Sequence, residues 1–464
     1  MIPIDFTQPL AAMPVNMFLH PTANKGKPGM IGLPGYVIKD SEGTGTVRGC
    51  VAGLDYNYFV INDDLYQSSG APTSITVSET GWFTTTGTSY VSMAVGKDHV
   101  VAVSENANEL VWKKISDNSD GKVDLAAALS GMNDPTMVVH MDGYFIVCSR
   151  AGAAGGYQEN FYISALNNPS SWSSLDFEDA DYRADNIVGL AVFNDTLRVF
   201  GKSSCEPYQN TGNADFPFER MRGASCSVGC LAPYSIKECN NVLYFLSSEK
   251  TVMGMSGFDP VKVSSPELDN LLKASTTLTD AIAWTFVAHG MWFYALKLPT
   301  DGYTYVLNTA TGLWSKFMSG TTGTTNHPAV CSLVYNGDTY IGLSSGGSVA
   351  QLSASLFSED TTGAMYGEIQ TPVLDAEREP MFMGSFEVWA KKYVGSTTVN
   401  PTLSVSWSDD MAVTWSTART LYLGLSGGTG AQLKTHRLGS SYNRIFKLSK
   451  SNIYELQLYG GYLE

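Results

Sequence analysis

One pattern recurs along most of the chain. A short run of β-branched and aromatic residues meets a two-residue polar turn, and a second such run follows. The turns start at Asn62-Asp63, Lys97-Asp98, Asp142-Gly143, Asn194-Asp195, Asn240-Asn241, His289-Gly290 and Asn336-Gly337. Successive starts lie 35, 45, 52, 46, 49 and 47 residues apart. Asp-Gly and Asn-Gly tolerate the positive φ that tight hairpins need. The flanking runs are near-continuously apolar, as in Tyr58-Phe59-Val60-Ile61, Tyr144-Phe145-Ile146-Val147 and Leu243-Tyr244-Phe245-Leu246. Short apolar runs of this kind predict strands covered on both faces. A repeat of about 40–50 residues with several strands each predicts a β-propeller. Six or seven blades are expected over residues 51–370. The short first spacing suggests a hairpin in a blade shared with another segment.

Both ends of the chain depart from the repeat. Residues 1–50 carry Pro9, Pro14, Pro21, Pro28 and Pro34 with glycines at 26, 29, 32 and 35, and read as an extended N-terminal arm that skirts other subunits or staples the ring. Within it, Met13, Pro14, Val15, Met17, Phe18 and Leu19 form an apolar, proline-broken stretch that predicts a partner-binding assembly element. Residues 371–464 show longer period-two alternation, as in Ser385-Phe386-Glu387-Val388-Trp389-Ala390, and predict a C-terminal antiparallel β-domain resembling a sandwich. One helix is expected within the repeats, at Ser265–Lys273. Ser265 caps it, Pro266 fits its first turn, and Leu268, Leu271 and Leu272 share the face that docks on the propeller.

Composition narrows the class. The 464 residues include 44 acidic and 29 basic ones, for a net charge of −15, and only 16% are charged. Such an acidic balance predicts no general attraction to nucleic acid or anionic membrane. No apolar segment approaches the ~20 residues of a membrane helix, so no membrane insertion is expected. The start lacks the basic and apolar regions of a signal peptide. Seven scattered cysteines suggest reduced thiols in a cytosolic setting. Cys226 and Cys230 have the only close spacing, without the second pair or nearby histidines a zinc site needs.

Candidate chemistry is sparse. Asp176, Glu178, Asp179, Asp181 and Asp185 form the densest acid cluster and read as a solvated loop, without EF-hand spacing. Ser408, Asp410, Thr414 and Trp415 match the Asp-box turn of sialidases, with Ala412 in place of its glycine. His99 and His289 fall at hairpin turns and His140 beside one, where the ring is expected to be solvated. No paired nucleophile, metal or phosphate signature is present, so neither catalytic residues, cofactor nor metal are expected.

Several segments together resemble the packaged-DNA stabilisation proteins of short-tailed bacteriophages (podoviruses), also called tail hub or nozzle proteins. They are Met13-Pro14-Val15-Asn16-Met17, Gly32-Leu33-Pro34-Gly35, Tyr182-Arg183-Ala184-Asp185, Ile187-Val188-Gly189-Leu190, Glu206-Pro207-Tyr208, Phe216-Pro217-Phe218 with Arg220, Val263–Leu268, and the terminal Gly460-Gly461-Tyr462-Leu463-Glu464. The resemblance spans almost the whole chain in order. It implies a structural virion protein assembled in the host bacterial cytoplasm as a ring, a hexamer, below the portal and adaptor proteins. Such a ring continues the DNA channel, retains packaged DNA, and carries a tail needle or plug and spikes or fibres. Duplex DNA would pass through without tight binding. The alternative is a secreted propeller glycosidase, a sialidase-like enzyme or a carbohydrate-binding protein. Those enzymes normally show an export signal and repeated Asp-boxes.

Overall fold

The computed structural model describes the chain except residues 1, 25, 85, 86, 88, 106, 130, 131, 133, 150–158, 361 and 376–378. Among the described residues, regular structure is strand apart from α1 (Leu125–Ala128), α2 (Pro266–Ala274) and a 3-10 turn at Pro233–Ser235. The fold is all-β and propeller-like. Six separate antiparallel four-stranded sheets occupy residues 47–79, 91–124, 135–179, 187–220, 237–262 and 282–316, each with its strands in chain order. A seventh four-stranded unit takes three strands from residues 329–353 and its fourth from Gly35–Ser41.

First strands pack on first strands around a ring. Val47–Ala52 lies against Val91–Val95, which meets Pro135–Met141, which meets Ile187–Phe193. The 3-10 turn then leads to Lys237–Cys239, which packs on Ile282–Ala288. That strand meets Ala329–Tyr335, which returns to Val47–Ala52. Second strands are sandwiched between neighbouring units. Asn57–Ile61 and Thr196–Gly201 are buried at every position, which is why Tyr58-Phe59-Val60-Ile61 reads as an apolar run, while Thr196–Gly201 buries Arg198 among its apolar residues.

The turn chemistry explains the repeat. Asp142-Gly143, Asn194-Asp195, Asn240-Asn241, His289-Gly290 and Asn336-Gly337 all have positive φ at both residues, between 49° and 87°. Each joins the first and second strands of its unit, as type I′ turns do. Asn62-Asp63 instead joins the second and third strands of the first unit. This corrects the explanation of the short first spacing: the turn belongs to the next hairpin of an ordinary unit. The shared unit is the seventh.

Closure of that unit depends on the first fifty residues. Gly35–Ser41 runs antiparallel to Ser348–Ser353, with Gly35 opposite Ser353 and Ser41 opposite Ser348. A Cβ at Gly35 would lie 2.2 Å from the Ser358 carbonyl oxygen, so this entry point requires glycine.

The C-terminal strands form two layers. One sheet runs Met17–Asn24, Lys27–Gly32, Gln457–Leu463, Met381–Ala390, Lys434–Ser441, with Ile2–Ile4 paired to Gln457–Leu463. The other joins Gly363–Gln370, Asn443–Asn452, Thr402–Ser408 and Arg419–Tyr422. Phe386 from the first stacks on Phe446 from the second with centroids 4.3 Å apart. Met17, Met30, Ile369, Leu448 and Leu458 complete the core between them. Residues 1–50 are drawn into the fold of their own chain, and Gly35–Ser41 staples the seventh unit. Their strands are shared between the C-terminal layers, the seventh unit and the first, where Val47–Ala52 is the opening strand.

Candidate functional site

The six residues expected to bind a partner are placed within their own chain. Met13 is buried against α2 and the strands around Trp314, Met17 lies in the C-terminal core, and Phe18 meets Phe293 edge-on at 5.1 Å. Pro14 is buried, while Val15 and Leu19 are half-buried. The cover expected from a partner is supplied here by the chain itself. The physical reason is backbone pairing. Pro14 breaks any helix and leaves the segment extended. The Lys316 N–H donates to the Pro14 carbonyl at 2.8 Å, and Val15 exchanges N–H···O bonds with Glu368 at 2.9 and 3.0 Å. The segment thus runs between the last strand of the sixth unit and the first strand of the C-terminal layers.

Asn16 anchors this stitch, a role the sequence reading missed. It sits at φ +53°, a conformation asparagine tolerates. Its amide donates to the carbonyls of Met318 and Tyr366 at 2.7 and 2.8 Å and accepts from the Met318 N–H at 2.7 Å. The signal was available, since Asn16 is the one polar residue of Met13-Pro14-Val15-Asn16-Met17. Beside the stitch, Phe6, Leu10, Met13, Leu19 and Trp314 line an apolar groove of about 300 Å3. The helix α2 forms as expected: Ser265 Oγ accepts from the Leu268 N–H at 3.2 Å, and Leu268 and Leu272 are buried. Glu267 in its first turn accepts from the Met13 N–H at 3.1 Å.

The acid cluster is distributed over different elements. Asp176, Glu178 and Asp179 lie on the strand Asn168–Asp179, which corrects the reading of one loop. Asp185 accepts from the Ser203 and Ser204 hydroxyls at 2.7 and 3.0 Å. Asp181 meets Arg220 at 2.6 Å, and the same guanidinium reaches the buried Glu206 at 3.2 Å. Burial pushes the Glu206 carboxyl up, while Arg220, the Tyr182 N–H and the Tyr208 hydroxyl hold it down. Tyr182, Glu206, Tyr208 and Arg220 all belong to segments that carried the family resemblance. The structure brings them into one hydrogen-bonded group on the fourth unit. Among the described residues, no set of three or more His, Cys, Asp or Glu is placed to hold a metal.

The Asp-box-like turn forms as a hairpin. Asp410 accepts from Ser408 Oγ, the Thr414 N–H and Thr414 Oγ1 at 2.7, 2.8 and 2.5 Å. These donors hold its carboxyl down at about 2. Ala412, in the glycine position of the box, is at φ +70°.

The hairpin histidines are less solvated than their positions suggested, because aromatic rings cover them: Trp112 at His99, Phe145 at His140 and Phe18 at His289. Burial pushes His99, His140 and His289 down, and the Nε2 atoms of His140 and His289 are buried without a hydrogen-bond partner. His289 packs on Phe18 from the stitch at 5.7 Å. His327 is fully enclosed among Trp284, Phe317 and Tyr36 and accepts from the Ala329 N–H at 3.3 Å.

What this geometry defines is an all-β, propeller-like scaffold whose polar clusters hold turns, strands and termini together. The family described as "Bacteriophage P22 Gp10, beta-propeller" (Phage_stabilise) matches residues 5–356. The chain belongs to that family: it is a structural phage-tail protein with a role in stabilising packaged DNA, a virion component rather than a free enzyme. A search of curated proteins gave no match. Among solved structures, the extracellular domain of BT4673 from B. thetaiotaomicron is 9% identical with TM-score 0.43, over 80% of this chain and 45% of that one. YCF48 from Cyanidioschyzon merolae is 10% identical with TM-score 0.43, over 68% and 98%. The Cps50 (Swd1) beta-propeller domain from Myceliophteria thermophila is 8% identical with TM-score 0.43, over 68% and 99%. The chain thus spans less than half the length of the first of these. No helix of the described residues is long and apolar enough to cross a membrane.

Proposed function

We propose that this chain is a seven-bladed propeller joined to a C-terminal sandwich, and that copies assemble as a ring, a hexamer, in the phage tail. The ring contacts portal or adaptor proteins on one side and a needle or plug on the other, and it carries spikes or fibres. It continues the path of packaged DNA without gripping it. The family match over residues 5–356 carries this reading. The ring of first-strand contacts and the closure by Gly35–Ser41 support the blade count. In this reading the arm serves assembly indirectly. By tying the sixth unit to the sandwich through residues 13–18, it fixes the angle at which the two present their outer surfaces to neighbours. Native mass spectrometry of the purified chain, alone and with the adaptor protein of the same phage, tests the proposal. A six-subunit species supports it, and a monomer that stays monomeric with the adaptor refutes it.

A further inference from the structure

Cys205 and Cys226 face each other across an isolated antiparallel bridge between the strand Cys205–Asn210 and the loop after the fourth unit. The N–H of each donates to the carbonyl of the other, at 3.1 and 3.0 Å. Such a pair holds its Cα atoms about 5.5 Å apart with both side chains on one face. Disulfides span Cα separations of about 4.4–6.8 Å. Each thiol shifts the ionisation of the other, Cys205 upward and Cys226 downward, and the Cys226 thiol donates to the Val228 carbonyl at 3.8 Å. A cation stands beside them. Phe200 pairs with Cys205, and Arg198, two residues before Phe200, shares its face. The Arg198 guanidinium is buried, donates from Nη2 to the Gly257 carbonyl at 3.1 Å, and keeps an Nε without a partner.

We propose that Cys205 and Cys226 are a thiol–disulfide modification site, oxidised reversibly by low-molecular-weight disulfides. Cys226 is the entry point, because it is half-buried where Cys205 is fully buried. Its thiol is pulled down to about 7, chiefly by Cys205 beside it, so about half is thiolate at neutral pH. The thiolate attacks an external disulfide such as oxidised glutathione and releases one glutathione thiolate. Cys205 then loses its proton and attacks the Cys226 sulfur, releasing the second. One internal S–S bond forms, the external one is broken, and two electrons and two protons end on two glutathione molecules. A hydrogen-bonded strand pair sets its Cβ atoms wider than a disulfide prefers, so the two segments must draw together for the bond to form, and the strained bond is labile and reopens in a reducing buffer. Its closure would pin the loop whose Cys230 N–H binds the Gly201 carbonyl at 2.9 Å, the link from the fourth unit to the fifth. That the site stays reduced in a bacterial cytoplasm and closes outside it rests on the virion reading; the chemistry does not.

The test equilibrates reduced full-length protein with graded ratios of oxidised to reduced glutathione, followed by acid quenching, alkylation and peptide mapping. The expected product is a Cys205–Cys226 linked peptide that disappears as reduced glutathione is raised. Its rate of formation should climb with pH through a midpoint near 7. In the other neighbouring pair, Cys50 and Cys331, the more exposed member Cys50 is pushed far up by burial, where Cys226 is pulled down, so that pair lacks an entry thiolate and should remain reduced under the same conditions. C226S should fold with unchanged melting temperature and leave Cys205 free. Glutathione retained on Cys226 without the link, an unmodified Cys226 throughout, or a link seen only in denaturant would overturn the proposal.

Discussion

Asn16 and Met318, separated by 302 positions in the chain, exchange two hydrogen bonds as though they were paired strand residues. The side-chain amide of Asn16 imitates a peptide group, donating to the Met318 carbonyl and accepting from its N–H, both at 2.7 Å. One side chain therefore continues the ladder between the N-terminal segment and the short strand Met318–Ser319. Buried polar groups left without partners cost about 1–3 kcal/mol. Asn16→Ala would strand the Met318 N–H and place alanine at φ +53°. It should lower the free energy of unfolding by about 2–4 kcal/mol. Urea unfolding checks this, and a change below 1 kcal/mol would show that the fork contributes little.

The burial of the N-terminal segment sets what its truncation should do. Removal of residues 1–20 takes away Ile4, Phe6, Met13, Met17 and Phe18, all buried in the chain's own cores. Each such side chain contributes about 1.5–3 kcal/mol, so the sum rivals the 5–15 kcal/mol of a whole domain. The truncated chain should express as aggregate or unfold without cooperativity. A truncated protein with a sharp, near-native thermal transition, yet unable to enter particles, would restore the arm as a docking element.

The hairpins were legible because each is local. Asn240-Asn241 and Asp142-Gly143 announce a left-handed turn within a few residues, and the runs beside them are apolar because units cover both faces. The helix α2 was equally local, from its Ser265 cap to Leu272. Closure was illegible because it depends on long-range pairing: Tyr36 meets Leu352, and nothing in either segment's pattern names the other. The arm misled for the same reason. An apolar stretch such as Met17-Phe18-Leu19 reads alike whether its cover is a neighbouring subunit or the far end of its own chain. Asn62-Asp63 shows a third limit, since a good turn sequence does not say which hairpin of a unit it closes.

At the Asp-box-like turn, Ala412 holds a backbone conformation that favours glycine, at φ +70°. For a non-glycine residue that region costs about 1–2 kcal/mol, while glycine's extra unfolded-state entropy costs about 0.5–1 kcal/mol. Ala412→Gly should therefore stabilise the protein by about 0.5–1 kcal/mol, read as a small rise in melting temperature. Asp410→Ala, which removes the acceptor of three bonds, should lower it. An unchanged or lowered melting temperature in the glycine variant would mean that the turn relaxes around alanine.

His327 should make the fold acid-sensitive. Its pKa is pushed down to about 3 by burial and secondarily by Lys297, so the folded state keeps it neutral where the unfolded chain binds a proton. Stability is then full above the unfolded value of about 6.5 and is lost as pH falls toward 3, by up to about 1.4 kcal/mol per pH unit. His327→Gln keeps an acceptor for the Ala329 N–H and removes the titration. It should be less stable than the parent at pH 7 and show a shallower loss between pH 6 and 4. Parallel acid profiles for the two proteins would assign the sensitivity elsewhere.

The last expectation concerns DNA. A basic residue held against phosphate releases counterions and adds affinity that has to be broken each time the duplex moves. A wall meant to let DNA slide should therefore be neutral or acidic, and the chain carries 44 acidic residues against 29 basic ones. Many of the basic side chains are already committed within the fold. Arg48 bonds the Ser89 and Asn62 carbonyls at 2.8 and 2.7 Å, Lys297 the Ala329 carbonyl at 2.9 Å, and Arg444 pairs with Asp409 at 2.6 Å. Cations spent in this way cannot meet phosphate, so the charge left for a channel is more acidic than the composition implies. Retention of packaged DNA would then fall to a plug rather than to adhesion along this wall. Isolated protein should bind duplex DNA weakly at physiological salt, with a shallow dependence of affinity on salt concentration. Tight binding with a steep salt slope, measured by fluorescence anisotropy across a salt series, would mean that the remaining lysines and arginines gather on one surface and that this protein grips DNA directly.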